Sequence, residues 1–179
     1  MTMDTQEPPP ALTSRRDAVA QAMNALARLA NARPGIVTAI RRMEDPSEPP
    51  LAFFMAATPI LDRYLRPGTP DEERTTAEMR WAIVFWTIAQ AQFKGLAGTT
   101  RLGAAMARAK IAEQRVVRLL EARDLQVAPA VRAVVAQLMS RAESFLIDDV
   151  AGLVLPDPTS DEGEMARRRI ARDYYRNQD

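Results

Sequence analysis

At 179 residues, 47% apolar and 26% charged, the chain is long enough for one real core or two small helical lobes. It contains neither cysteine nor histidine, which excludes disulfides, thiolate chemistry, imidazole–thiolate zinc sites and Ser-His or Cys-His catalysis. The net charge of +1 conceals an uneven distribution: from Lys94 to Arg141 nine cations stand against three acids, an excess of +6, and only Lys94 and Lys110 of all the cations are lysines.

Residues 1–12, with Pro8-Pro9-Pro10, are expected to form a disordered extension. They lack the basic-then-apolar layout of a signal peptide. No apolar run approaches the ~20 residues that cross a bilayer, so a cytoplasmic protein with no membrane partner is expected. A helix capped by Thr13 or Ser14 carries Val19, Met23, Leu26 and Leu29 at helical spacing and stops before Pro34-Gly35. Pro34 then opens a shorter helix that ends on Arg41-Arg42. Beyond the acidic, proline-rich loop EDPSEPP, residues 51–65 form a buried helix that Pro59 should kink or split. Thr69, Pro70 and Glu72 read as an N-cap, a first-turn proline and the acid of a capping box. They open the longest helix, which runs to Gln92. Met79, Ile83, Trp86 and Gln90 share one stripe, and Trp81, Val84, Phe85 and Ile88 widen it until most of the helix must be buried. Its aromatic residues are core residues on burial preference.

The loop FKGLAGTT ends in Thr100, a candidate cap for the helix RLGAAMARAK. IAEQRVVRLLEAR turns Val116, Leu119 and Leu120 inward. A helix from near Pro129 carries Val131, Val134, Val135 and Leu138. SFLIDDVAGLVL is a short amphipathic segment, and its acidic pair Asp148-Asp149 suits a helix start, where acids are favoured. The last helix, capped by Thr159 or Ser160, buries Ala166, Ile170 and Tyr174 and turns Arg169, Arg172 and Arg176 to one outer side. No segment alternates with period two, so the fold class is all-α, a compact bundle of about seven to eight helices. Residues 13–179 form one helical domain, which could divide into lobes at 13–92 and 93–179. No cofactor, metal site or catalytic residue is expected.

The block GTTRLGAAMARAKIAEQRVVRLLEAR, residues 98–123, has the spacing of a helix-turn-helix. Lys110, however, occupies the place where glycine would permit a positive φ. Met106 replaces the usual small residue, and Glu113 would repel phosphate at the tip of a reading helix. A DNA-binding transcriptional regulator is therefore the alternative reading, not the leading one.

The same block is similar to the central region of the CasB family, the small subunit of the type I-E CRISPR surveillance complex, Cascade. The similarity rests on Leu102-Gly103, the alanine-rich run Ala104 to Ala109, Glu113 to Arg115, Leu119-Leu120, the Arg41-Arg42 pair after Pro-Gly, and the closing ARDYYR. Where the family often carries Asp-Trp before the penultimate helix, this chain has Asp148-Asp149. The resemblance implies a non-enzymatic, all-helical subunit, present as two copies, whose partners are guide RNA, the target and non-target DNA strands and the other Cascade subunits. Such a subunit binds nucleic acid without sequence specificity and stabilises the R-loop and the displaced strand. The positions that match the family's basic sites are Arg41, Arg42, Arg115 and Arg132, with Lys94 and the arginines from Arg167 onward, Arg169 included, matching less closely. The charge pattern adds Arg101, Arg108, Lys110 and Arg118 as candidate contacts to a phosphate chain. In an RNA-guided complex base pairing reads sequence, so the protein needs only contacts to the backbone.

Overall fold

The computed structural model describes residues 14–178; the proline-rich extension and Thr13 lie outside the described residues. Within them are nine α-helices, one 3-10 turn and no strand. The helix count exceeds the seven to eight expected, and the acidic segment around Asp148 is a buried helix of its own rather than an amphipathic stretch. The order is α1 (Arg15–Ala32), α2 (Pro34–Arg41), α3 (Leu51–Tyr64), α4 (Asp71–Phe93), α5 (Leu102–Arg108), α6 (Glu113–Glu121), a 3-10 turn (Asp124–Gln126), α7 (Val127–Ser140), α8 (Ile147–Val154) and α9 (Asp161–Arg176).

Local chemistry explains most boundaries. Ser14 caps α1 by accepting the Asp17 N–H at 3.1 Å, and Ser160 caps α9 by accepting the Gly163 N–H at 3.2 Å. Thr69 is not a cap: its hydroxyl donates back to Arg66 O at 2.7 Å, and Pro70 stands in the N-cap position, so α4 starts one residue later than expected. Pro59 neither splits nor ends α3. It lies on the exposed side of that helix, where the carbonyl four residues back can turn to water. α7 begins at Val127, two residues before Pro129, which still falls in the first turn, where its missing N–H has no intrahelical partner to lose.

α4 is the axis of the molecule. Residues 81–89 are all buried, and the helix touches α1, α2, α3, α7 and α8. Edge-to-face aromatic contacts fasten α3 to it: Phe53 meets Phe85 with ring centres 5.5 Å apart, and Tyr64 meets Trp81 at 5.5 Å. The expected core stripes of α1, α6, α7 and α9 all face inward, with Leu26, Val116, Leu138 and Ile170 fully buried.

The tightest packing is the crossing of α5 and α9. A Cβ at Gly103 would lie 2.7 Å from Tyr174 N and 2.8 Å from Asp173 Cβ, and closer again to Ile170 O. Only glycine lets the two backbones approach so far, as small residues do at other close helix crossings. Tyr174 then donates its hydroxyl to Ile111 O at 2.6 Å, fixing the turn after α5. A pair of loops completes the frame. Gly98 N–H donates to Phe145 O at 2.9 Å, Phe145 N–H to Leu96 O at 3.0 Å and Leu146 N–H to Thr100 O at 2.7 Å.

Candidate nucleic-acid interface

The corner between α5 and α6 ends α5 in a Schellman motif. Lys110 takes φ 52°, its N–H donates to Ala107 O at 2.9 Å, and the Ile111 N–H reaches back to Met106 O at 3.0 Å. Lysine thus does what glycine was expected to do, at the energetic penalty of a left-handed residue with a Cβ. α4 and α7 close in the same way, at Gly95 (φ 67°) and Ala142 (φ 55°). Cations sit at all three ends: Lys94, Lys110 and Arg141 are exposed beside helix C-termini, where the helix dipole favours positive charge. Met106 is fully buried and leaves the close crossing to Gly103, one turn earlier.

The N-terminus of α5 is held from a distance. Thr100, the expected cap, is not used. Instead the Leu102 N–H donates to Asp149 Oδ2 at 2.8 Å, across 47 residues. Asp149 is completely buried. Its other oxygen meets Arg101 Nη1 at 3.2 Å and Arg169 Nη2 at 3.3 Å, while Arg101 Nε also reaches Asp173 at 3.4 Å. One carboxylate therefore caps a helix and joins two candidate cations from α5 and α9. The acidic pair does sit at a helix start and its side chains do diverge: Asp148 pairs with Arg15 at 3.6 Å.

α2 and α4 finish side by side. Gln90 Nε2 donates to Arg41 O at 2.9 Å, and the Arg41 guanidinium lies 3.6 Å above the centre of the Phe93 ring. Arg42 and Lys94, the next residue on each chain segment, are exposed. Arg132, on α7, leans toward the same region. Its Nη1 donates to Met43 O at 2.6 Å, and its guanidinium lies 4.8 Å over Trp86.

The remaining candidates differ in availability. Arg108, Arg115 and Arg118 are exposed, as Lys110 is. Arg115 donates to Gln137 Oε1, and with Arg118 and Gln114 it lines an open groove of about 870 Å³ between α6 and α7. Arg167 does not face outward: it is 5% exposed, in space left by Gly163, whose Cβ would lie 2.9 Å from its Nη1. Burial pushes its guanidinium below the ordinary value, the Arg123 charge adds to this, and Glu164 opposes. On α9 Arg172 and Arg176 remain exposed, whereas Arg169 turns to Asp149. At the tip of α6, Glu113 is engaged by the Tyr175 hydroxyl at 2.7 Å, a bond that raises the tyrosine pKa above its usual value.

That Asp149 caps α5 from a distance, and that Phe93, Gln137 and Tyr175 sit beside these cations, does not follow from the sequence. Only Phe93 left a usable trace, an aromatic residue immediately before Lys94 at the end of a helix whose apolar stripe had already closed. Among the described residues no helix is long and apolar enough to cross a membrane, and no group of three or more acidic side chains could hold a metal ion.

No curated protein and no solved structure matches the chain. The family model of CRISPR-associated protein Cse2 matches residues 37–175. That span runs from the second turn of α2 almost to the end of α9 and contains Arg41-Arg42, the Gly103 crossing, the Lys110 corner and both partners of Asp149. A match over so much of the chain makes the protein a member of the Cse2 family, that of the CasB subunit of type I-E Cascade.

Proposed function

We propose that this Cascade subunit is a non-catalytic grip on nucleic acid, holding the guide RNA–target DNA R-loop and the displaced non-target strand without reading their sequence. The observation that carries the reading is that Arg42, Lys94, Arg108, Lys110 and Arg118 are exposed and have no acidic partner among the described residues. Cations that face water along helix ends and one outer helix face suit phosphates spaced along a strand. Arg115 and the groove between α6 and α7 extend that surface. Arg101 and Arg169 face the same ligand as half-exposed members already balanced by Asp149. Arg167 is a packing residue and drops out of the contact set.

A sequence-reading helix-turn-helix is less well supported. The left-handed Lys110 makes the turn itself sound, but the first turn of α6 is held by Tyr175 through Glu113, where a reading helix needs free residues facing base edges. The test is R-loop stability in the assembled complex across a salt series. Arg115→Ala with Arg118→Ala should destabilise R-loops of unrelated sequence alike. Each lost phosphate contact should reduce the slope of log K against log salt by about 0.7 for a single strand. A loss restricted to particular target sequences, or binding indifferent to salt, would overturn the proposal.

A further inference from the structure

We propose that Phe93 is a stacking platform for an unpaired nucleobase, with Arg41 as its backing and Arg42 and Lys94 as the cations for the flanking phosphates. This rests on the nucleic-acid reading above and goes beyond it, since it names a base contact on a surface otherwise suited to phosphates.

Phe93 is the last residue of α4 and is 64% exposed, while the same helix buries Trp81, Phe85 and Trp86 almost completely. This ring, at the end of the central helix, stands outside the core that the helix's other aromatic residues help to form. A charge lies against one face: the Arg41 guanidinium stands 3.6 Å over the ring centre. Arg41 is itself half-buried, and its backbone oxygen is tied to α4 through Gln90, which keeps its side chain within reach of that face. With one face covered, the exposure of the ring falls on its opposite face and edge. A planar, electron-rich surface there, with a guanidinium beneath it, suits a nucleobase, and stacking is indifferent to which base is present. Charge complements the assignment. Lys94 follows Phe93 in the chain and Arg42 follows Arg41; both are exposed, with no acidic partner among the described residues. A strand whose base stacks on Phe93 would bring its phosphates to them. A duplex keeps its bases stacked on one another, so the ligand is a single strand. DNA and RNA share that chemistry.

The experiment measures binding of the full chain to short oligo-dT, to oligo-U and to an abasic strand of equal length and charge, using pyrimidine strands to avoid competition from stacking within the strand. The wild type should prefer a strand with bases over the abasic one by about 5- to 30-fold, the range of one modest base-stacking contact. Phe93→Ala and Phe93→Leu should both erase that preference while leaving the salt slope unchanged, since neither removes a charge. Phe93→Trp should keep it, with indole fluorescence quenched on binding. Arg42→Ala should instead reduce the slope by about 0.7 and weaken both kinds of strand. Whichever of oligo-dT and oligo-U is weakened by Phe93→Leu identifies the strand, and equal loss on both assigns the site to either. If Phe93→Leu retains the preference, the contact is merely apolar and the platform is refuted. If the wild type binds all strands equally and Phe93→Ala instead impairs incorporation into the complex, Phe93 is a protein contact. If the wild type binds no strand, the nucleic-acid reading falls and takes this one with it.

Discussion

Replacing Gly103 by alanine tests the central packing idea, because two effects of opposite sign meet at that residue. Alanine is the better helix former by about 1 kcal/mol, and Gly103 lies within α5 at no positive φ. Propensity alone therefore makes Gly103→Ala stabilising. The new Cβ, however, would lie 2.7 Å from Tyr174 N, and ordinary contact begins at 3.4 Å. The helices must part by at least the difference, 0.7 Å, and the obstacle is backbone that no rotamer change can clear. A gap of about 0.5–1 Å forfeits a quarter to a half of the dispersion energy across it. Leu102, Ala105, Met106 and Ile170 all lie on or beside that seam and are essentially buried. The hydrogen bond from Tyr174 to Ile111 O would stretch as well. Overpacking of this kind costs about 3 kcal/mol at the upper end of its usual range, so the net loss is about 2 kcal/mol. For a chain of this size that is a fall of roughly 4 to 8 °C in melting temperature. Thermal unfolding followed by circular dichroism measures it directly. Gly35→Ala is the matched control: it too is a helical glycine, but nothing lies within 4 Å of its Cβ position, so only the propensity gain should remain. A Gly103→Ala protein that melts at or above the wild-type temperature would refute the close-approach argument.

Four further outcomes are expected. Lys110→Gly relieves the left-handed strain and should stabilise the fold by about 1 kcal/mol. It should also weaken strand binding by one phosphate's share of the salt slope, and a variant that binds as before would remove Lys110 from the contact surface. Asp149→Ala strips the Leu102 N–H of its acceptor and takes one carboxylate from two arginines that are each more than a third exposed, so the loss is dominated by the buried N–H, about 1–3 kcal/mol. Asp149→Asn keeps an acceptor and should lose clearly less; equal losses in chemical denaturation would mean that charge, not capping, governs the site. Arg132→Ala should lower the melting temperature along with binding, because the guanidinium packs on Trp86 and bonds to Met43 O, whereas Arg115→Ala should affect binding alone. Tyr175 has its pKa raised from 10.0 by the bond to Glu113. That bond's contribution to stability is therefore complete below pH 10.0 and is lost as pH rises through the higher folded value. Phenolate absorbance should show one tyrosine titrating earlier in Glu113→Ala than in wild type, and identical titrations would show the bond absent in solution.

Much of this architecture is legible in the chain because helices announce themselves through period and breakers. The stripes of α1, α6, α7 and α9 and the stop at Pro34 all follow from spacing. What could not be read is whatever depends on residues remote in sequence. Thr100 has the right chemistry to cap α5, yet the work is done by Asp149, and no local pattern distinguishes a buried carboxylate serving a distant helix from one serving its own. Gly103 reads as part of a small-residue run until α9 is placed against it. Lys110 reads as a poor turn residue because propensity disfavours a left-handed lysine, and the motif's two backbone bonds with Tyr174 below override that preference. Arg167 enters the candidate set through the family resemblance of the C-terminal arginines, although Gly163, one turn before it, opens the space that buries it. Arginine count and local excess mark a basic stretch of chain, but only contacts separate the cations that are free from those already committed within the fold.

The bonded loops around Gly98 and Phe145 have a consequence for how this protein can change over evolutionary time. The strongly basic stretch leaves the rest of the chain just after Lys94 and returns just after Arg141, and backbone hydrogen bonds join its two ends between Leu96 and Phe145 and between Thr100 and Leu146. Departure and return share one doorway. A segment whose ends are already neighbours can be exchanged between relatives without rerouting the backbone on either side, as inserted domains are. Joints placed at those two loops would carry α5, α6 and α7 across together with most of the charge excess, provided the incoming segment keeps a glycine at the α9 crossing and an apolar α7 face for α4. Relatives could in this way trade one basic excursion for another.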